Sequence, residues 1–382
     1  MFKGNKSLNL VLSGGGVKGI AYIGAFKALD LDGWKVLNIA GVSAGAMVGS
    51  IIASGYSPRA LMDILKNFNF EKIKGTDVVR KIPIISEYID FIQNQRVLNE
   101  ENREFFLVME KLKKDCECGF DGFNELDLYN MRCSVVKKIV KFCNKGYLFD
   151  GDYLEEWMYD VLKKKGIRTF GDLRGGLKDR VNPRGYKMRM TAVDATRDKI
   201  VVLPDDLEFY GIQPDDFEVA KAVRMSTSVP FVFKPVEIKR KTDSGEKVHY
   251  FVDGGIFDNF PFWLIESSDI PVIGIKLEGK KSSKGLNPLN ILKNIISNLY
   301  NIGMPEKVSF NPENIIKIDV SDISFLDFDL DENEINYLIE SGYKSVGNFL
   351  KKNKRGINYW YFNGKFILVL LFMLLFIKKF LQ

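Results

Sequence analysis

Histidine is almost missing: the 382 residues contain one, His249. That scarcity excludes a site built from several imidazoles and obliges any Ser-His-Asp triad to use this one residue. His249 lies early in a strand-like run, Val248 to Val252, that ends in Asp253-Gly254-Gly255. At about 3.3 Å of rise per residue, His249 and Asp253 share a strand face but stand about 13 Å apart, too far for a direct His-to-Asp bond at one serine. His249 is therefore expected to be a half-buried structural residue. Cysteine is scarce too: Cys116, Cys118, Cys133 and Cys143 are the four, spaced Cys-x-Cys and then irregularly. Zinc sites prefer Cys-x-x-Cys pairs, so free thiols and no metal are expected. No secretory signal is read at the start, because Leu8 to Leu12 is too short for an apolar signal core, and a reducing cytosolic compartment is expected. Charge is nearly balanced, 55 Lys+Arg against 49 Asp+Glu for a net +6. There is no basic stripe with interleaved stacking aromatics, so no nucleic-acid partner is expected. The mild positive balance suits an anionic membrane surface or an ordinary solvated face.

Three short segments carry chemistry. Gly41-x-Ser43-x-Gly45 sits between an apolar strand-like run, Val36 to Ala40, and an alanine-rich helix-like run. That order describes a nucleophile elbow, in which a sharp turn holds a serine hydroxyl exposed at its tip over a helix N-terminus. The flanking glycines are needed because the turn brings the backbone close to itself, and a side chain at either would clash with the serine's approach to a substrate. Upstream, the strand-like run Leu8 to Leu12 leads into Ser13-Gly-Gly-Gly-Val-Lys-Gly19 and a helical segment from Ile20 to Leu31. Glycine loops between a strand and a helix leave backbone N–H groups pointing outward, as anion sites require. A dinucleotide site wants an acidic residue at the end of the next strand, and that strand ends in Gly41-Val42 instead. A phosphate-binding P-loop wants Gly-Lys-Ser/Thr, and Lys18-Gly19 reverses the order. Two readings remain: an oxyanion hole near Gly15 and Gly16 facing the carbonyl that Ser43 attacks, or a turn that only permits close packing. Asp253, at a strand end before two glycines, is the third element, and it is either a turn aspartate or the base that takes the Ser43 proton directly. A free aspartate titrates near pH 3.9, so such a base needs desolvation, for which Tyr250, Phe251 and Val252 are at hand.

Taken in order, Gly14-x-Gly16-x-x-Gly19, Gly41-x-Ser43-x-Gly45 and Asp253-Gly254-Gly255 resemble the patatin-like phospholipases, lipid acyl hydrolases with a Ser-Asp dyad. Met225-Ser-Thr-Ser-Val-Pro230 and Asp258-Asn259-Phe-Pro261 resemble the family's small-residue block and the segment after its aspartate. The resemblance spans roughly Leu8 to Ile275. It implies Ser43 as nucleophile, Asp253 as base, Gly14, Gly15 and Gly16 as oxyanion donors, no cofactor, and a phospholipid or related ester as substrate. Lys18 departs from the family's usual arginine, keeping the charge without the planar fork.

The fold that follows is α/β, a three-layer patatin-like sandwich with a mostly parallel central sheet and helices on both faces. Strand-like runs at Leu8 to Leu12, Val36 to Ala40, Met188 to Val193, Val248 to Val252, Val272 to Lys276 and Ile315 to Val320 alternate with helical segments. Ser57-Pro58 opens one helix with a cap and an N1 proline, and Asp331 opens another running to about Lys352. The phospholipase domain is placed at residues 8–275, an α/β extension at 276–356 and an apolar tail at 357–382. From about residue 70 to 184 the chain turns charged and aromatic, read as a helical insertion that is either a lid or a passive layer. The tail holds Phe366 to Ile377, twelve apolar residues flanked by Tyr359, Trp360, Tyr361 and Lys378-Lys379. As a helix these reach about 18 Å, short of a ~30 Å hydrocarbon core unless Lys365 snorkels and the aromatics sit at the interface. A membrane anchor on the cytosolic face and a tail buried in the body or an oligomer both fit. Three functions fit the chain: a lipid acyl hydrolase, a membrane-tethered lipid-binding or scaffolding protein, and an acyltransferase using the same dyad.

Overall fold

The computed structural model describes residues 6–69, 72, 147, 149–230, 232–243, 245–266, 270–279, 312–321, 323 and 330–353. The four cysteines, most of the expected insertion and the apolar tail lie outside the described residues.

Among the described residues eight strands form one sheet: β1 (Ser7–Leu12), β2 (Lys35–Gly41), β3 (Met188–Asp194), β4 (Lys199–Leu203), β5 (Val236–Thr242), β6 (Gly245–Asp253), β7 (Val272–Glu278) and β8 (Ile315–Asp319). Their order is β5-β6-β3-β2-β1-β7-β8, with β4 paired to β3 off this path. The pairs β1/β2, β1/β7, β2/β3 and β7/β8 are parallel, whereas β3/β4, β3/β6 and β5/β6 are antiparallel. The six expected strands are all present, and β4 and β5 are additional. β1 and β3 are buried along nearly their whole length, as central strands covered on two faces must be. β5 reads Val-Glu-Ile-Lys-Arg-Lys-Thr, and only Ile238 in it is fully buried. An edge strand of a half-exposed hairpin tolerates that much charge, which is why apolar patterning did not reveal it.

Leu8, Leu10, Leu12 and Ile39 face one side of the sheet and pack with α1 (Ala21–Leu31), α2 (Ala44–Ala53) and α3 (Pro58–Lys66). Val11 and Ala40 alternate to the other side, where among the described residues Phe260, Phe262, Leu264 and Ile265 cover them. α4 (Asp152–Lys163) and α5 (Val219–Ser226) pack against each other and against α2, so the later part of the expected insertion belongs to the layer over the sheet. Ser57 caps α3 through its side chain, which accepts from the Ala60 N–H at 3.3 Å, with Pro58 in the first turn.

The last helix among the described residues, α6, spans residues 332–353. Asp331 and Glu334 close a reciprocal capping box at its start, with bonds of 2.8 and 2.9 Å. It meets α1 with almost no side chains between: a Cβ on Gly342 would collide with the Ala21 carbonyl and lie 3.1 Å from the Ala25 N, and one on Gly24 would lie 2.7 Å from the Tyr343 N. Alanine at a helix-interior glycine normally gains up to about 1 kcal/mol. Here it drives a methyl into backbone that cannot rotate away, an overpacking cost of about 1–3 kcal/mol or more. Gly342→Ala is therefore expected to lower the free energy of unfolding in a denaturant titration, the reverse of the usual helix trend.

No helix among the described residues is long and apolar enough to cross a membrane.

Candidate active site

Because β1 and β2 run parallel, their C-terminal ends deliver the glycine loop and Ser43 to the same edge of the sheet. Ser43 follows β2 and is the N-cap of α2, with φ 54° and ψ −122°. That backbone region is close to glycine-only and strained for serine, a cost of about 1–3 kcal/mol. The glycines around it protect backbone against backbone. A Cβ on Gly41 would stand 2.6 Å from the Gly45 carbonyl, and one on Gly45 would stand 2.7 Å from the Ser13 carbonyl oxygen. The close backbone approach expected of the turn is thus what requires them. Contrary to an exposed tip, Ser43 is 4 % exposed. The glycine loop lies against it: a Cβ on Gly14 would be 3.2 Å from the Ser43 Cβ and would overlap the Asn259 side-chain oxygen.

Asp253 ends β6 and is fully buried. Its Oδ1 accepts the Gly255 N–H at 2.8 Å, the local bond that a turn aspartate makes. Gly254 is needed there because a Cβ would meet the Thr191 carbonyl oxygen at 2.5 Å. Register brings Asp253 level with Ser43: Gly41 pairs with Met190, and two residues further along β3 Ala192 pairs with Asp253. The strands β2 and β6 are separated by β3, about 10 Å between axes. Between them runs the segment Ser226-Thr227-Ser228 at the end of α5. The Ser43 N–H donates to the Ser226 Oγ at 3.0 Å, the Ser226 hydroxyl donates to the Thr191 carbonyl at 2.7 Å, and the Asp253 N–H donates to the Ser228 carbonyl at 2.9 Å. Of the apolar run before Asp253, Phe251 and Val252 are buried, but Tyr250 is 45 % exposed. Strand alternation turns Tyr250 and Val252 to the opposite face, so of the three Phe251 is the one that shares the Asp253 face.

The three loop glycines are not equivalent. The Gly14 N–H donates to the Asn259 carbonyl at 3.1 Å, while the N–H groups of Gly15 and Gly16 make no bond among the described residues. Gly16 takes a positive φ of 57°. Ser13 anchors the loop base: its carbonyl accepts the Tyr22 hydroxyl at 2.6 Å and its Oγ accepts the Leu277 N–H at 3.0 Å. Burial pushes the Tyr22 phenol well above its ordinary range. Asn259 reaches the loop because Asp258, itself buried, accepts the Phe260 N–H at 2.9 Å and the Trp263 indole at 2.7 Å. Burial holds the Asp258 carboxyl above the usual range, partly offset by these donors. The Lys18 Nζ lies 3.1 Å from where a Gly279 Cβ would stand, at the end of β7. Burial lowers its ammonium, with Asp319 acting in the opposite sense.

His249 is apart from this constellation and is buried, not half-buried, at 1 % exposure. Its Nδ1 shares a 2.8 Å hydrogen bond with the Asp194 Oδ2, which also accepts the Tyr210 hydroxyl at 2.7 Å. A carboxylate on Nδ1 and an aromatic shell hold the ring, while its buried Nε2 makes no hydrogen bond among the described residues. No group of three or more His, Cys, Asp or Glu side chains among the described residues is arranged to hold a metal.

The strand-turn-helix serine, the glycine loop beside it and the carboxylate across β3 define an α/β protein with a serine elbow. The family described as Patatin-like phospholipase matches residues 10–265. The chain belongs to that family. It is 33% identical over 348 residues to the uncharacterized protein YqhO of Bacillus subtilis (strain 168), covering 90% of this chain and 97% of that one. It is also 35% identical over 202 residues to lysophospholipase NTE1 of Candida albicans (strain SC5314 / ATCC MYA-2876), covering 48% of this chain but 14% of that much longer protein. Among solved structures, VipD from Legionella pneumophila matches with a TM-score of 0.48 at 21% identity, covering 90% of this chain and 67% of that one.

Sequence reasoning singled out Ser226 and Ser228 only as members of a small-residue block, and Asn259 only as part of a following segment. Their hydrogen bonds join segments distant along the chain, and no local spacing signals such a partnership.

Proposed function

We propose that the protein is a lipid acyl hydrolase of phospholipase A type in which Ser43 and Asp253 form the reacting pair. The Ser43 Oγ attacks an ester carbonyl while its proton passes to the Asp253 carboxylate. The carbonyl oxygen becomes an oxyanion facing the N–H groups of Gly15 and Gly16; Gly14, already bonded to Asn259, orders the loop instead. Collapse of the tetrahedral species expels the lipid alcohol, protonated by Asp253, and leaves an acyl-serine that water hydrolyses by the same route. The observation that supports this most is the pair of bonds from Ser43 and Asp253 to residues 226–228, which ties a strained serine and a buried carboxylate to one short segment. Family membership and the lysophospholipase named among its relatives favour a lipid ester as substrate. No cofactor enters the scheme.

Fatty-acid release from mixed phospholipid vesicles, with products identified by mass, tests it. Wild type releases fatty acid, and Ser43→Ala and Asp253→Ala do not. Binding of lipid by all three with no release favours a lipid-binding or scaffolding protein, and transfer of the acyl group to an added alcohol in preference to water favours an acyltransferase.

The apolar run Phe366 to Ile377 supports attachment to a membrane. Removing residues 357–382 is expected to abolish flotation with phospholipid vesicles while leaving hydrolysis of a soluble short-chain ester intact. Unchanged flotation assigns membrane contact to another surface.

A further inference from the structure

Arg224, in the last turn of α5, is 3 % exposed. No carboxylate makes an ion pair with it among the described residues, and its hydrogen bonds all go to neutral oxygens. The guanidinium donates to the Ser228 Oγ, to the Asp150 carbonyl and, at 2.7 Å, to the Lys234 carbonyl, and its Cζ lies 5.6 Å from the centre of the Phe233 ring. The Ser228 hydroxyl in turn donates to Arg224's own carbonyl at 2.6 Å. Gly151, at φ +78°, leaves the space the guanidinium fills. Burial pulls the guanidinium below its ordinary value, while Glu155, Asp152 and Asp150 act the other way from a distance. Burying a charge without a contacting counter-charge is costly, and well-packed apolar residues of similar volume often serve stability equally well or better. Fold stability alone therefore does not account for an arginine here. A planar fork that holds three segments in one geometry does.

Those segments bear on the reacting groups. Ser228, gripped at its hydroxyl, offers its carbonyl to the Asp253 N–H, and Ser226, two residues earlier, holds the Ser43 N–H. Phe149 and the 232–234 stretch are bonded to each other as well, with Phe149 donating to Val232 at 2.8 Å and accepting from Lys234 at 2.9 Å. The loop around Asp150, the stretch after Pro230 and the 226–228 segment thus meet at one side chain. We infer that Arg224 is a positioning residue that sets the spacing of Ser43 and Asp253 by locking residues 226–228 to the backbone of Asp150 and Lys234. The inference rests on the Ser43–Asp253 reading above.

The test compares wild type, Arg224→Lys, Ser228→Ala and the double variant, with Ser43→Ala as blank. Four quantities are read: the thermal unfolding temperature, kcat and KM on a soluble p-nitrophenyl ester, and the rate of labelling by a fluorophosphonate. Arg224→Lys keeps the charge and loses the fork. It is expected to remain folded at the assay temperature, with kcat and labelling rate down by about 10- to 100-fold and KM nearly unchanged, since misplacement of reacting groups acts on the chemical step. Because the arginine acts through Ser228, the double variant is expected to be no slower than Arg224→Lys alone. A residue that only stabilised the fold would lower the unfolding temperature and leave kcat of the folded enzyme untouched. A folded Arg224→Lys with wild-type kcat, or losses that multiply in the double variant, overturns the inference. Should Arg224→Lys fail to fold, Ser228→Ala decides, and a wild-type kcat in that variant overturns it. If wild type is labelled no faster than Ser43→Ala, the Ser43–Asp253 reading itself falls and takes this inference with it; normal wild-type labelling with indifferent variants sinks this inference alone.

Discussion

Substituting Ser43 by alanine is expected to reduce ester hydrolysis by on the order of 10⁴- to 10⁶-fold, the loss seen when a serine nucleophile that acts as a unit with its base is removed. Stability moves little with alanine, because alanine inherits the same φ of 54° and ψ of −122°. Glycine separates the two effects. In Ser43→Gly the same catalytic loss comes with relief of a backbone cost of about 1–3 kcal/mol, opposed by about 0.5–1 kcal/mol of added freedom in the unfolded chain. Relief of strain outweighs that freedom, so Ser43→Gly is expected to unfold at a higher temperature than both wild type and Ser43→Ala while being inactive. Equal or lower stability for the glycine variant removes the argument that the elbow stores strain. Full activity in either variant removes Ser43 from the reaction.

The second large effect is expected from Asp253→Asn. The asparagine oxygen can still accept the Gly255 N–H that Asp253 holds at 2.8 Å, so the turn and the end of β6 survive. What is lost is the ability to take a proton. With one histidine in the chain, bonded to Asp194 rather than to Ser43, no described group stands ready as a substitute base. A loss on the order of 10⁴-fold in kcat follows, comparable to the neutralisation of the carboxylate in a serine triad. The carboxylate is fully buried, and replacing it by a neutral amide lifts a desolvation burden. Thermal unfolding of the variant is therefore expected at or above the wild-type temperature. A variant that retains more than about a tenth of wild-type kcat shows that another group accepts the proton. One that fails to fold shows that Asp253 is chiefly a structural turn residue.

A lone histidine illustrates how far composition can reach. One such residue, kept from Asp253 by strand spacing, is enough to exclude a triad of Ser43, His249 and Asp253 on sequence grounds. Its fully buried partnership with Asp194 and Tyr210 was not legible, because the three come from β3, β6 and the turn after β4. Gly41 and Gly45 were legible as obligatory, because a turn that folds the backbone onto itself has no room for a Cβ; which carbonyls stand there, those of Gly45, Leu12 and Ser13, was not. The three loop glycines look alike in sequence, and only the return of Asn259 to the loop distinguishes Gly14 from the other two.

The order of strand, glycine loop, helix, strand, serine turn and helix was written in the chain because each depends on neighbours a few residues apart: runs of apolar side chains, glycines where backbones touch, caps such as Ser57 and Asp331. The hairpin strand β5 escaped because an exposed edge lets charge replace the apolar pattern by which strands are recognised. Where Asp253 stands relative to Ser43, that Ser226 and Ser228 bond to them, and that Asn259 and Arg224 hold the glycine loop and Ser228 in turn, was decided by the order and register of the sheet. Those are set by which buried surfaces fit together across more than two hundred positions, and contacts of that range leave no local periodicity to read.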